Sequence, residues 1–175
     1  MPLLVVLLLA LALGGCAASP NAPATRPADF ALSFVDQSGS VPPPYAYTKR
    51  MTLAPDGAGT YEVEISYGGP SRTWEFSLTS AEMDALYARV RDAGAFIRGW
   101  RADDNPPAGG GSFWLDATAA GQTVEVPAYV VGSLNGPRAD VEDAARTAVP
   151  TALSLEAQSW MNEVQSEGLP EEPEG

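Results

Sequence analysis

Thr60-Tyr61-Glu62-Val63-Glu64-Ile65-Ser66-Tyr67 alternates apolar and polar residues without interruption. Successive side chains of a strand point to opposite faces, so this stretch predicts a strand with one buried and one wet face. Gly68-Gly69-Pro70-Ser71 supplies a turn, after which Trp74, Phe76 and Leu78 alternate with Thr73, Glu75 and Ser77. So short a connection forces the two strands to be antiparallel. Upstream, Tyr47, Met51 and Leu53 alternate with Thr48, Arg50 and Thr52, and the turn chemistry of Ala54-Pro55-Asp56-Gly57-Ala58-Gly59 links that strand to the first. Phe30, Leu32 and Phe34 mark a further strand. Val41-Pro42-Pro43-Pro44 between them predicts a stiff, extended spacer.

The same pattern continues downstream into a helix. Thr79-Ser80-Ala81-Glu82 fits a capping box, in which hydroxyl and carboxylate reciprocally satisfy free backbone amides. Met83, Leu86, Tyr87 and Val90 follow at helical spacing, and Gly94 suits the left-handed residue that ends a helix. Phe96 and Ile97 are expected to pack as the chain leaves. Residues 98–111 form an irregular loop. A hairpin follows, with Phe113, Leu115 and Ala117 leading out, Ala119-Ala120-Gly121-Gln122 turning, and Val124, Val126 and Ala128 returning. Pro127 cannot donate to a ladder, so the returning strand is an edge or carries a bulge. Asn135-Gly136-Pro137 reads as a break and Asp140 as the cap of a second helix bearing Val141, Ala144, Ala145 and Ala148. Pro150 ends or kinks it. A third amphipathic segment carries Leu153, Ala157, Trp160, Met161 and Val164. The pattern predicts an α+β domain: an antiparallel sheet of about five or six strands, with helix 80–93 on one face and helices at the C-terminus.

The chain begins differently. The uncharged run Leu3 to Leu13 is too short to span a bilayer as a helix and has the length of a signal-peptide core. It ends in Leu13-Gly14-Gly15-Cys16, which resembles the lipobox of bacterial lipoproteins; no Lys or Arg precedes the apolar core, a departure from the usual pattern. Cys16 is the sole cysteine and therefore forms no internal disulfide. The resemblance implies cleavage before Cys16, lipidation of its thiol, and anchoring of the mature protein to the cell envelope. Position 17 holds Ala rather than Asp, which in a Gram-negative host implies the periplasmic face of the outer membrane. The division expected is a signal peptide over 1–15, a flexible tether over 16–29, one domain over 30–165 and a disordered acidic tail over 166–175.

Charge and composition narrow the chemistry. The formal net charge is −12, from 22 acidic and 10 basic residues, so neither nucleic acid nor an anionic lipid surface is an expected partner. There is no histidine, which excludes Ser-His-Asp catalysis, histidine-bound zinc and the HExxH hydrolases. Gly109-Gly110-Gly111 lacks the Lys and Ser/Thr of a phosphate loop. The one lysine, Lys49, reads as a solvated strand residue rather than a nucleophile. Asp103 and Asp104, with Asp116, are candidate carboxylates for a calcium site or a glycosidase pair, though their spacing fits neither well. Arg98, Trp100 and Arg101 give the same loop the residue types that dominate binding hot spots; the alternative is that Trp100 folds back onto the core.

The order of strands, capped helix ending Ala93-Gly94-Ala95-Phe96, hairpin and C-terminal helix is similar to that of small exported domains of bacterial lipoproteins. Over roughly residues 45–150 it also resembles the emfourin-type inhibitors of thermolysin-like proteases, without a motif that carries an inhibitory residue onto a numbered position. The resemblance implies a binding module rather than an enzyme. The expectation is an envelope protein partner engaged through loop 98–111 or the edge strand near Pro127, membrane contact through lipidated Cys16, and no cofactor. The alternative is a carboxylate- or metal-dependent hydrolase centred on Asp103 and Asp104.

Overall fold

The computed structural model describes residues 22–43, 45–96 and 99–167. Cys16 with the whole lipobox, Pro44, Ile97, Arg98 and the tail from residue 168 lie outside them. Six strands form one antiparallel sheet: β1 (Ala31–Gln37), β2 (Tyr47–Leu53), β3 (Ala58–Ile65), β4 (Ser71–Ser77), β5 (Ser112–Ala119) and β6 (Gln122–Val126). Their spatial order is β4-β3-β2-β1-β5-β6. Helix α1 (Ser80–Asp92) crosses between β4 and β5, while α2 (Asn135–Arg146) and α3 (Thr151–Glu167) complete the chain. This is the α+β architecture that the alternation and capping signals predict.

The sheet has one apolar face and one polar face, as period-2 patterning requires. Leu32, Phe34, Met51, Leu53, Tyr61, Val63, Ile65, Trp74, Phe113, Leu115 and Ala117 are buried beneath the helices. Burial of each larger aliphatic or aromatic side chain contributes roughly 1.5–3 kcal/mol. Helix α1 buries Met83, Leu86, Tyr87 and Val90, and its Tyr87 ring stands edge-on to Phe30 at 5.1 Å. Trp160 of α3 meets Trp74 edge-on at 5.8 Å. Helix α2 buries Val141 and Ala145 and packs against α1.

Local chemistry sets the ends of α1. The Thr79 hydroxyl accepts from the Glu82 amide, and the Glu82 carboxylate accepts from the Thr79 amide at 2.7 Å. At the other end Gly94 has φ +91°, with its N–H donating to Arg91 O and that of Ala95 to Val90 O. These two bonds satisfy carbonyls that a helix end otherwise leaves unpaired.

Four expectations need correction. Tyr67 does not continue the apolar face of β3: Ser66 turns to φ +54° and Tyr67 lies in the turn, exposed. The segment around Pro42 is not extended, because the Tyr45 N–H donates back to Pro42 O at 2.9 Å and closes a turn. Asp140 does not cap α2. The helix begins at Asn135, and Pro137 sits in its first turn, where a missing N–H costs no intrahelical bond. Residues 22–29, assigned to the tether by composition, lie against α1 and the β5–β6 turn through specific hydrogen bonds.

Candidate functional site

The loop that carries the predicted site residues is pinned at several points. The Trp100 indole N–H donates to Ala95 O at 2.9 Å, and the ring packs against the core. Trp100 therefore stabilises the exit from α1 and is not a free hot-spot side chain. Beyond it the backbone pairs with the segment after β6. Ala102 bridges Val130, the Asp103 N–H donates to Tyr129 O at 3.0 Å, and the Val131 N–H donates to Arg101 O at 3.2 Å. The Arg101 and Asp104 side chains are exposed. One Asp103 carboxylate oxygen accepts from the Asn105 N–H at 2.9 Å, a turn-forming role. Asp103 also lines a cleft of about 170 Å³ with Tyr129, Asn135 and Arg138. Asp116 stands in β5 opposite Ser33 and Glu125. Among the described residues no group of three or more His, Cys, Asp or Glu is placed to hold a metal ion.

Strand β6 is an edge of the sheet, and Pro127 follows it directly. The two regions that the sequence offers separately as contact surfaces, the loop and the edge near Pro127, therefore adjoin. A guanidinium holds them in place. Arg138 Nε donates to Pro127 O at 3.1 Å, its Nη2 to Phe113 O at 2.7 Å, and its Nη1 pairs with Glu142 at 2.9 Å. The network continues inward: Glu142 pairs with Arg146 at 2.8 Å, and Arg146 with buried Asp36 at 2.6 Å. This chain of charges joins α2 to the centre of the sheet; the four-residue spacing of Arg138, Glu142 and Arg146 is legible locally, but their link to Asp36 is not.

Lys49 is paired in register with Asp36 on the apolar face, and its ammonium lies 4.6 Å from the Tyr47 ring centroid. Burial lowers its pKa, and the Asp36 charge opposes the shift. Burial likewise pushes the nearby Tyr61 hydroxyl up to about 12. The expectation of a solvated lysine thus gives way to a half-buried one. It belongs to the polar end of the core.

No family model matches the chain, and no curated protein matches it.

The site's chemistry is therefore carried by its own residues. The polar face of the sheet holds a second candidate surface, an open concavity of about 600 Å³ whose floor includes Ser33, Thr52 and Thr60. The Thr52 and Thr60 hydroxyls share a hydrogen bond of 2.7 Å. Glu75 and Asp116 stand at its two sides. Partial burial raises the Asp116 pKa, and the neighbouring Glu125 charge adds to the effect. Leu53, Ala54 and Phe76 also line the concavity, so a row of hydroxyls and carboxylates that can accept hydrogen bonds and positive charge is set in a largely apolar surface.

Proposed function

We propose that this chain is a non-enzymatic binding module of the bacterial cell envelope, anchored by lipid at Cys16. It engages a protein partner through the surface built from loop 99–111 and the outer side of β6. One observation carries the reading: the Ala102–Val130 bridge sets the exposed Arg101 and Asp104 side chains beside the end of β6, the last strand of the sheet. An edge strand with unpaired backbone groups is a template for a partner's extended segment, and adjacent loop side chains supply specificity. The protease partners implied by the emfourin resemblance are the first to test.

The test uses the mature full-length protein and a variant carrying Arg101→Ala and Asp104→Ala. These two side chains are exposed, so the fold should melt as wild type does. A Trp100→Ala change would confound the measurement through its bond to Ala95. The expected result is that wild type captures an envelope protein, or inhibits a thermolysin-like protease, and the variant loses at least ten-fold in affinity. Undiminished capture by the variant would remove this surface from the proposal. Hydrolysis of a glycan or ester that vanishes in Asp104→Asn would replace binding with catalysis. For the anchor, intact-mass analysis should find acylated Cys16 as the first residue, and Cys16→Ala should remain unprocessed or leave the membrane fraction; more than one acyl chain is needed for stable anchoring.

A further inference from the structure

Ser80, Asp84, Tyr87 and Arg91 lie four, three and four residues apart, which places them in one stripe along α1. Each of the four bonds to the segment 22–29. The Tyr87 hydroxyl donates to Pro23 O at 2.7 Å, and the Arg91 guanidinium donates to Ala24 O. Arg26 pairs with Asp84 at 2.7 Å and donates to the Ser80 hydroxyl at 3.3 Å. At the end of the run, the two carboxylate oxygens of Asp29 accept from the Ala120 and Gly121 amides at 2.8 and 2.6 Å. These two bonds also hold the Asp29 carboxyl below the usual carboxylate range. The segment is a strap laid antiparallel along the helix and clamped at the β5–β6 turn.

We infer that this strap seats the lipid-anchored domain on the bilayer by its α1 side and turns the polar sheet face toward the aqueous space. The inference rests on lipidation of Cys16. From Cys16 to the first docked residues near Ala22 the chain reaches at most about 22 Å, at about 3.6 Å per residue. Were the strap free, the reach to Phe30 would be roughly double. The docked end leaves the molecule beside Tyr87 and Arg91, in the helical layer. That layer covers the apolar face of the sheet, so the Ser33, Thr52 and Thr60 surface points the opposite way. The geometry assigns the membrane to one side of the domain and the soluble partner to the others.

The test places a single introduced cysteine on the full-length lipoprotein, at Ala85 of α1 or at Thr73 on the polar face of β4. Each is labelled with a donor fluorophore and reconstituted into uncharged vesicles of phosphatidylethanolamine and phosphatidylcholine with a headgroup acceptor. Energy transfer from position 85 is expected to exceed that from position 73 several-fold. Strap release by Arg26→Ala, Asp29→Ala and Tyr87→Phe should bring the two values together. Equal transfer from both positions in wild type, or no change on release, would overturn the seating. Flotation with the vesicles reports the anchor separately: protein that does not float, and whose mass shows no acyl chains, removes the Cys16 reading and the seating with it. Amide exchange in the full chain tests the strap independently of the lipid. Ala120 and Gly121 should be protected in wild type and exchange at least ten-fold faster in Asp29→Ala; unprotected amides in wild type would show that the strap does not dock.

Discussion

Ser66 carries two penalties at once. Its φ of +54° is one that residues with a Cβ adopt reluctantly, and its hydroxyl is buried with no hydrogen-bond partner. Glycine removes both, so Ser66→Gly is expected to raise stability by about 1 kcal/mol in urea denaturation, despite the added freedom of the unfolded chain. Asp36 is the opposite case, a buried carboxylate whose Arg146 partner lies 110 residues away. Asp36→Ala leaves that guanidinium with Glu142 as its remaining anion and should cost about 2 kcal/mol, less than for a fully buried pair because Arg146 is partly exposed and still paired. A double change with Arg146→Met should recover part of the loss, measured in the same denaturation series. The alternation of Leu32 and Phe34 carries Asp36 onto the apolar face, so an inward carboxylate is legible in the strand pattern, but its partner is not, because Arg146 belongs to a helix that only the tertiary fold brings near.

Helix α1 and the β3–β4 pair were legible because their signals are local: a cap and its glutamate three residues apart, and side chains alternating along one strand. The capping box makes a direct prediction at this scale. Thr79→Ala should destabilise by about 1 kcal/mol and increase exchange of the Glu82 amide, whereas Thr79→Ser should stay near wild type. The start of helix α2 is not legible locally because two signals conflict. Asn135-Gly136-Pro137 has the composition of a break, yet a helix tolerates proline in its first turn, and the preceding turn over Gly132–Leu134 delivers the chain already coiled. The strap is hidden from the sequence for a different reason. Small residues and prolines bury little surface, and what holds them is a set of partners 54 to 92 residues distant. The candidate surface shared this fate: the loop and the edge were each visible, but their bridge was not.

At the scale of the whole molecule, acid should weaken the fold. Hydrogen bonds hold the carboxyls of Asp29, Glu64 and Glu82 below their usual range. Each stabilises the folded state while ionised, so the contribution is full above the ordinary carboxylate values near 4 and is lost as pH falls through the lowered ones. Asp116 has the opposite sign. Its carboxyl is raised by partial burial first and by Glu125 second, so folding disfavours its charge, and stability is regained as pH falls through the raised value. With three lowered groups against one raised, the urea midpoint should be steady from about pH 7 to 5 and fall below about pH 4. Asp116→Asn should raise the midpoint at neutral pH and leave it unchanged at pH 3.

The strand order holds one more consequence. β1 lies between β2 and β5, and its partner β5 begins at Ser112, 75 residues after β1 ends at Gln37. A chain emerging from the ribosome or a translocation pore can zip β1 through β4 as neighbours within moments, since each pairing closes a short loop. The second side of β1 must wait for β5. Until then Leu32 and Phe34 sit on a raw edge, the kind of template that recruits other nascent chains. Of the inner strands β1 is the one enclosed last, and the arrival of residues 112–119 moves the open edge away from the middle of the sheet to its rim.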